Sequence, residues 1–279
     1  MTLSRQTLFQ LFKYLVYVLL AMDVYWFFAE EYLANQLLYL DGVGIRDLIG
    51  AYPATVDTAA WVVLLLMFEL ETYALDDQNF TPAVTWSLHG LRAICYGFII
   101  YAFYGYIGNL VSVQAVSPLA GVSDLCSLVN ERWAYSYDIE EYTEITLANC
   151  QTFSSADSFL QFDDARAVVD AAGLAAIIGL AWIDVVNAAV WLLVVLVLEI
   201  DVRLQEHNRY EGWAYRISGI LKFILYATLL YAAIYWGIKG DFVDFWDAFL
   251  WLVAFVFIEL NVFEWRKESK QELADASSR

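Results

Sequence analysis

The chain has 279 residues, of which 61% are hydrophobic, 17% aromatic and 17% charged, with a mean hydropathy of +0.54. Soluble domains run about 45–50% apolar and about 25% charged, so the composition selects an integral membrane protein and excludes disordered and collagen-like chains. Acidic side chains outnumber basic ones 33 to 15, a formal charge of −18 that excludes a nucleic-acid partner, and the 2 histidines are too few for multi-haem or His-rich iron ligation.

A spanning helix needs about 20 mostly apolar residues at a rise of about 1.5 Å each. In chain order, six segments meet this: Leu8–Phe28, Asp57–Tyr73, Leu91–Val113, Ile183–Leu204, Ile217–Ile238 and Trp246–Phe263. The first lacks a small-residue cleavage site after it and reads as a retained helix. With both ends on one side, 11 of the Lys and Arg residues fall on the side of the termini and 4 on the other, namely Arg46, Arg132, Arg166 and Lys239. Positive charge is retained in the cytoplasm, so both termini are expected inside a plasma membrane, most simply a bacterial inner membrane.

The second, fourth and sixth segments share one spacing. Asp57-x3-Trp61-x7-Glu69-x-Glu71 is followed by Asn187-x3-Trp191-x7-Glu199-x-Asp201 and by Asp247-x3-Trp251-x7-Glu259-x-Asn261. The first, third and fifth carry Lys13-x3-Tyr17, Arg92-x3-Tyr96 and Lys222-x3-Tyr226. The repeat unit is therefore a two-helix hairpin, and the expected fold is all-α: six transmembrane helices as three hairpins with pseudo-threefold symmetry. The hairpins occupy 1–75, 88–204 and 212–264, followed by a cytoplasmic tail over 265–279.

Two outer connections also match, Asp41-x2-Gly44 through Gly50 with Asp170-x2-Gly173 through Gly179. They are expected as short helices on, or dipping into, the outer face, and would account for the extra apolar length of Ala167–Trp182. The alternative is one continuous helix through Leu204. The long loop over 114–165 is strongly acidic, with Asp124, Glu131, Asp138, Glu140, Glu141, Glu144, Asp157, Asp163 and Asp164. Such a loop either gathers cations or simply keeps an outer surface solvated. It also contains Cys126 and Cys150, expected to form a disulfide in an oxidising compartment, with two free thiols as the alternative.

Glu69 lies 12 residues after Asp57, about 18 Å along a helix, which puts Glu69, Glu199 and Glu259 inside the apolar slab near the cytoplasmic side. A carboxylate there is costly and normally faces protein or water. One reading makes these three a cation-selecting ring on a central path, with Asp57, Asp247 and Asp23 as further acidic groups along it and Lys13, Arg92 and Lys222 tuning it. The other makes the same groups structural salt bridges between helices. Glu69 and Glu71 point about 200° apart on a regular helix, so only one of them can face an axis. The Glu positions are constant across the copies, which favours them over Glu71, Asp201 and Asn261.

No nucleophile with a neighbouring base, no nucleotide loop and no Cys/His cluster stands out in the sequence, so no cofactor is expected and no metal can be named. The expected function is channel- or transporter-like, passing cations or protons. Its rival is a noncatalytic subunit that docks onto a larger membrane complex through aromatic faces such as Tyr96, Tyr101 and Tyr104, or Tyr226, Tyr231 and Tyr235. An integral-membrane enzyme is a third reading. The expected partners are the lipid bilayer, a cation, and a second copy or a larger complex.

Overall fold

The computed structural model describes residues 5–38, 42–44, 48–71, 81–156, 158–163, 165–206 and 213–256. They are mostly helical. In chain order the helices are α1 (Arg5–Leu38), α2 (Leu48–Ala51), α3 (Pro53–Glu69), α4 (Pro82–Ser112), α5 (Cys150–Phe153), α6 (Ala171–Glu206), α7 (Trp213–Lys239) and α8 over 242–256. Between α4 and α6 lie five short strands: β1 (Val116–Pro118), β2 (Ala134–Ser136), β3 (Tyr142–Glu144), β4 (Leu160–Phe162) and β5 (Ala167–Val169).

Among the described residues, four helices are long and apolar enough to cross a membrane: Thr7–Leu38, Pro82–Ser112, Ala171–Asp201 and Arg216–Lys239. Their outward faces are apolar, as lipid contact requires; Tyr25 is 68% exposed and Phe223 74%. The other two expected spans are helical as well, but α3 has 17 residues and α8 is described only to residue 256, so both fall short of the usual ~20. The last part of the expected sixth span lies outside the described residues.

Two expectations are corrected. The chain is not all-α, because the acidic connection folds around a five-stranded sheet of order β1-β4-β5-β2-β3. β2 and β5 run parallel, while the other neighbouring pairs are antiparallel. The second outer connection is also not a separate short helix. Asp170 sits directly before α6, which then runs unbroken for 36 residues, so the continuous-helix alternative is the one observed. Asp170 accepts from the Gly173 backbone N–H at 2.7 Å, satisfying a free donor of the first helical turn and starting the long helix there. In the first copy, Leu48–Ala51 does form a short helix.

The chain divides into two compact units, Val24–Leu196 and the combination of Met1–Asp23 with Val197–Arg279. In the first, Ala60 of α3 packs with Cys95 and Ile99 of α4, with Trp61, Tyr96 and Leu192 around them. Thr81 caps α4, its hydroxyl accepting from Val84 N at 3.4 Å, and Pro82 follows at the first helical position, where its missing N–H costs nothing.

The sheet buries both of its faces. Ala167 and Val169 join Leu110 and Val113 of α4 and Ile177 and Ala181 of α6. Val168, pointing the opposite way, joins Leu125, Tyr135, Ile145, Phe153 and Phe159. Cys126 and Cys150 are disulfide-bonded beside this second cluster, with Cα atoms 4.8 Å apart.

In the second unit, α7 turns into α8 through Gly240, whose φ of +96° suits glycine. Gly240 N and Asp241 N donate to Trp236 O at 3.0 and 3.2 Å. Asp241 then caps α8 by accepting from Asp244 N at 3.3 Å. Burial raises the Asp241 carboxyl above the ordinary carboxylate value.

Candidate functional site

The repeated charges take two kinds of partner. At the end of α3, Arg92 of α4 donates from Nη2 to both Glu71 oxygens, at 2.9 and 2.8 Å. At the equivalent place in the next copy, Lys222 of α7 lies 3.1 Å from Asp201 of α6, and Ser218 donates to the same Asp201 oxygen at 2.6 Å. Both contacts join the second acid of the motif to the repeated base within the following long helix. They differ in solvation: Asp201 is 2% exposed, whereas Arg92 and Glu71 keep about a third and a quarter of their side-chain surface (34% and 26%).

The Glu positions are not alike. Glu69 is buried, and α3 ends there in a wider π-type turn through Leu70 and Glu71. Glu199 is exposed on α6, and Arg203 one turn later donates to it at 2.9 Å. Glu259 lies outside the described residues, as does Asn261. Lys13 is buried, with its ammonium 5.0 Å from the Tyr14 ring centre and 6.0 Å from that of Tyr17, within cation–π range.

The Asp/Asn-x3-Trp half of the motif has a local physical cause. Residues four apart face each other on a helix, so an acceptor at the first position meets the indole N–H at the second. Trp251 Nε1 donates to Asp247 at 3.1 Å. The Trp61 indole donates to Asp57, which also receives the Tyr106 hydroxyl at 3.5 Å. In the middle copy, Asn187 Oδ1 has no hydrogen-bond partner among the described residues. The rings of Trp61 and Trp191, equivalent in the repeat, lie 6.2 Å apart. These tryptophans are packing residues more than interfacial anchors, since Trp191 and Trp251 are both buried.

Asp23 of α1 is fully buried, and among the described residues neither of its oxygens has a hydrogen-bond partner. No group of three or more His, Cys, Asp or Glu side chains among the described residues is placed to hold a metal ion.

Sequence reasoning missed two arrangements. Tyr135 of β2 donates to Asp170 at 3.1 Å and stacks on Phe153 at 4.7 Å, so Asp170 both starts α6 and ties it to the sheet. Burial, reinforced by the Asp170 charge, pushes the Tyr135 phenol up to about 12, so it stays neutral and donating at physiological pH. A Tyr in a strand of three residues carries no signal that would have revealed this.

The second arrangement surrounds Glu31. It lies just past the expected end of the first span, and the adjacent acidic pair Glu30-Glu31 in a mostly apolar helix was the available signal. The Glu31 carboxylate accepts from Ala54 N at 2.8 Å, from Thr55 N at 3.1 Å and from the Thr55 hydroxyl, which ties α1 to the start of α3. Asn35, one turn on, donates to Ala51 O at 2.6 Å.

No protein-family model, curated protein or solved structure matches this chain.

Proposed function

We propose that this chain is a six-span membrane protein of three hairpins that works as a noncatalytic docking subunit of a larger membrane assembly. The observation that carries this is the pairing of the second acid of the motif with a base of another helix, Glu71 with Arg92 and Asp201 with Lys222. An ion path needs carboxylates that face water along an axis, whereas carboxylates held by neighbouring bases act as clamps between helices. The contact between Trp61 and Trp191 supports the repeat, because a common axis brings equivalent side chains together. In this reading the termini are cytoplasmic and the sheet domain, with its disulfide, faces the oxidising outer side of a plasma membrane as the presented surface.

The test has two arms. Purified protein in liposomes should carry no K⁺, Na⁺ or proton flux, and native electrophoresis of gently solubilised membranes should place it in a particle with unlike subunits. Flux that disappears in Glu69→Gln/Glu199→Gln/Glu259→Gln while the protein stays folded would overturn the proposal.

One observation favours the second reading, a proton or cation path. Asp23 is buried in a long apolar helix without a hydrogen-bond partner among the described residues, and an ionisable group placed so within a membrane is costly unless it serves a purpose. That reading requires flux from the wild type that Asp23→Asn abolishes.

A further inference from the structure

Within the unit Val24–Leu196, three helices bring a carboxylate and an amide oxygen to one level. The end of α4 packs with the start of α6 through Leu110, Val113, Ile177 and Ala181, while Cys95 and Ile99, earlier in α4, pack with Leu192, later in α6. α4 and α6 therefore run antiparallel. α3 is antiparallel to α4 as well, since Asp57 near its start meets Tyr106 near the end of α4, and Glu71 just past its end meets Arg92. It follows that α3 and α6 are parallel, and the Trp61 and Trp191 rings, 6.2 Å apart, set their register. Asp57 and Asn187 each precede their tryptophan by four residues. They lie level with each other, one turn nearer the sheet domain and on the same sides of the two helices as the paired rings.

Both side chains are half-buried, and both keep acceptor capacity. Asn187 Oδ1 is itself buried and has no hydrogen-bond partner among the described residues, a costly condition for a carbonyl oxygen. Asp57 accepts from the Trp61 indole and the Tyr106 hydroxyl, which leaves room on a carboxylate that offers about four lone-pair sites. The oxygens of Asp57, Asn187 and Tyr106 together carry one formal negative charge. Asn187 stands where the other two copies have Asp57 and Asp247; a second carboxylate at this level would repel the first, whereas the amide supplies an oxygen without the charge. One charge among hard oxygens suits a monovalent cation, whereas Ca²⁺ requires six to eight oxygen ligands and Mg²⁺ a near-octahedral set.

We infer that Asp57 and Asn187, with the Tyr106 hydroxyl, bind a monovalent alkali cation between α3 and α6. A cation held at one point is not a path across the membrane. Binding here therefore goes beyond the docking reading and is compatible with it, and either can fail without the other.

The experiment melts the full chain in phosphatidylcholine nanodiscs while sodium or potassium chloride replaces N-methylglucamine chloride at constant ionic strength, which holds surface screening fixed. A ligand that binds the folded state raises the melting temperature by mass action, so a saturable rise with at least one alkali ion is expected. Asp57→Asn keeps an oxygen for Trp61 and Tyr106 but removes the charge, and should raise the midpoint concentration about tenfold or more. Asn187→Leu, which removes the amide oxygen, should also weaken the response. Asn187→Asp, almost unchanged in size, keeps the test decisive where a neutral variant fails to fold: the second carboxylate should strengthen Ca²⁺ relative to the alkali ion. A melting temperature that does not distinguish sodium or potassium from N-methylglucamine would overturn the site. So would an alkali response that Asp57→Asn and Asn187→Leu both leave unchanged, or an ion preference unaltered in Asn187→Asp.

Discussion

Asp201 and Lys222 show why a paired charge inside a helical bundle has to be kept whole. Asp201 is almost completely buried, held by Lys222 at 3.1 Å and by the Ser218 hydroxyl at 2.6 Å. Removing one partner strands the other in a low-dielectric setting, which costs about 3–5 kcal/mol, whereas replacing both partners with neutral groups of similar size is close to neutral. Lys222→Met should therefore lower thermal stability in detergent sharply, and Asp201→Asn/Lys222→Met should recover most of the loss. The more exposed Arg92–Glu71 pair serves as the comparison. Arg92→Met should cost about 1 kcal/mol or less, because solvent screens a pair that is a quarter to a third exposed. A double-mutant cycle on each pair, read by melting temperature, checks the ordering; equal costs at the two sites would contradict it.

At the scale of elements, close approach is concentrated at particular glycines. A Cβ on Gly237 would lie 3.2 Å from Phe245 Cδ2, whereas one on Gly219, also in α7, would meet nothing within 4 Å. Gly237→Val should force α7 and α8 apart and cost about 1–3 kcal/mol as an overpacked contact. Gly219→Ala should be neutral or stabilising by about 1 kcal/mol, because alanine is the better helix former. Thermal unfolding of both variants against wild type tests this pair of signs. The same elements show what was legible beforehand. Long apolar runs marked α1, α4, α6 and α7 because length and composition alone define a membrane-length helix. The disulfide followed from two cysteines in one connection. The sheet did not show, since strands of three residues are too short for alternation to register, and Ala167–Val169 looked like the start of the following helix. The repeated acids and bases were visible as a set. Which acid meets which base depends on the rotation of each helix and on the π-type turn at Leu70–Glu71, and spacing alone does not encode these.

Over the whole molecule, charge is the largest unbalanced term. The net charge is −18, and the sheet domain exposes Asp124, Glu131, Glu141, Glu144 and Asp163. Its exposed bases are Arg132 and Arg166, and Arg166 is turned to the Glu131 carbonyl oxygen at 3.2 Å. Like charges at a surface repel over a Debye length, about 10 Å at 0.1 M salt and about 3 Å at 1 M. An acidic surface of this density therefore works against compactness at low salt and relaxes as salt screens it. The apolar helix faces carry no comparable charge, so the effect should concentrate in the sheet domain. Raising sodium chloride from about 0.05 to about 1 M should raise the melting temperature. Glu141→Lys/Glu144→Lys, which removes part of the repulsion at β3, should flatten that dependence and raise stability at low salt. A melting temperature that falls with salt in the wild type, or the same salt slope in the doubly substituted protein, would show that surface repulsion does not limit this fold.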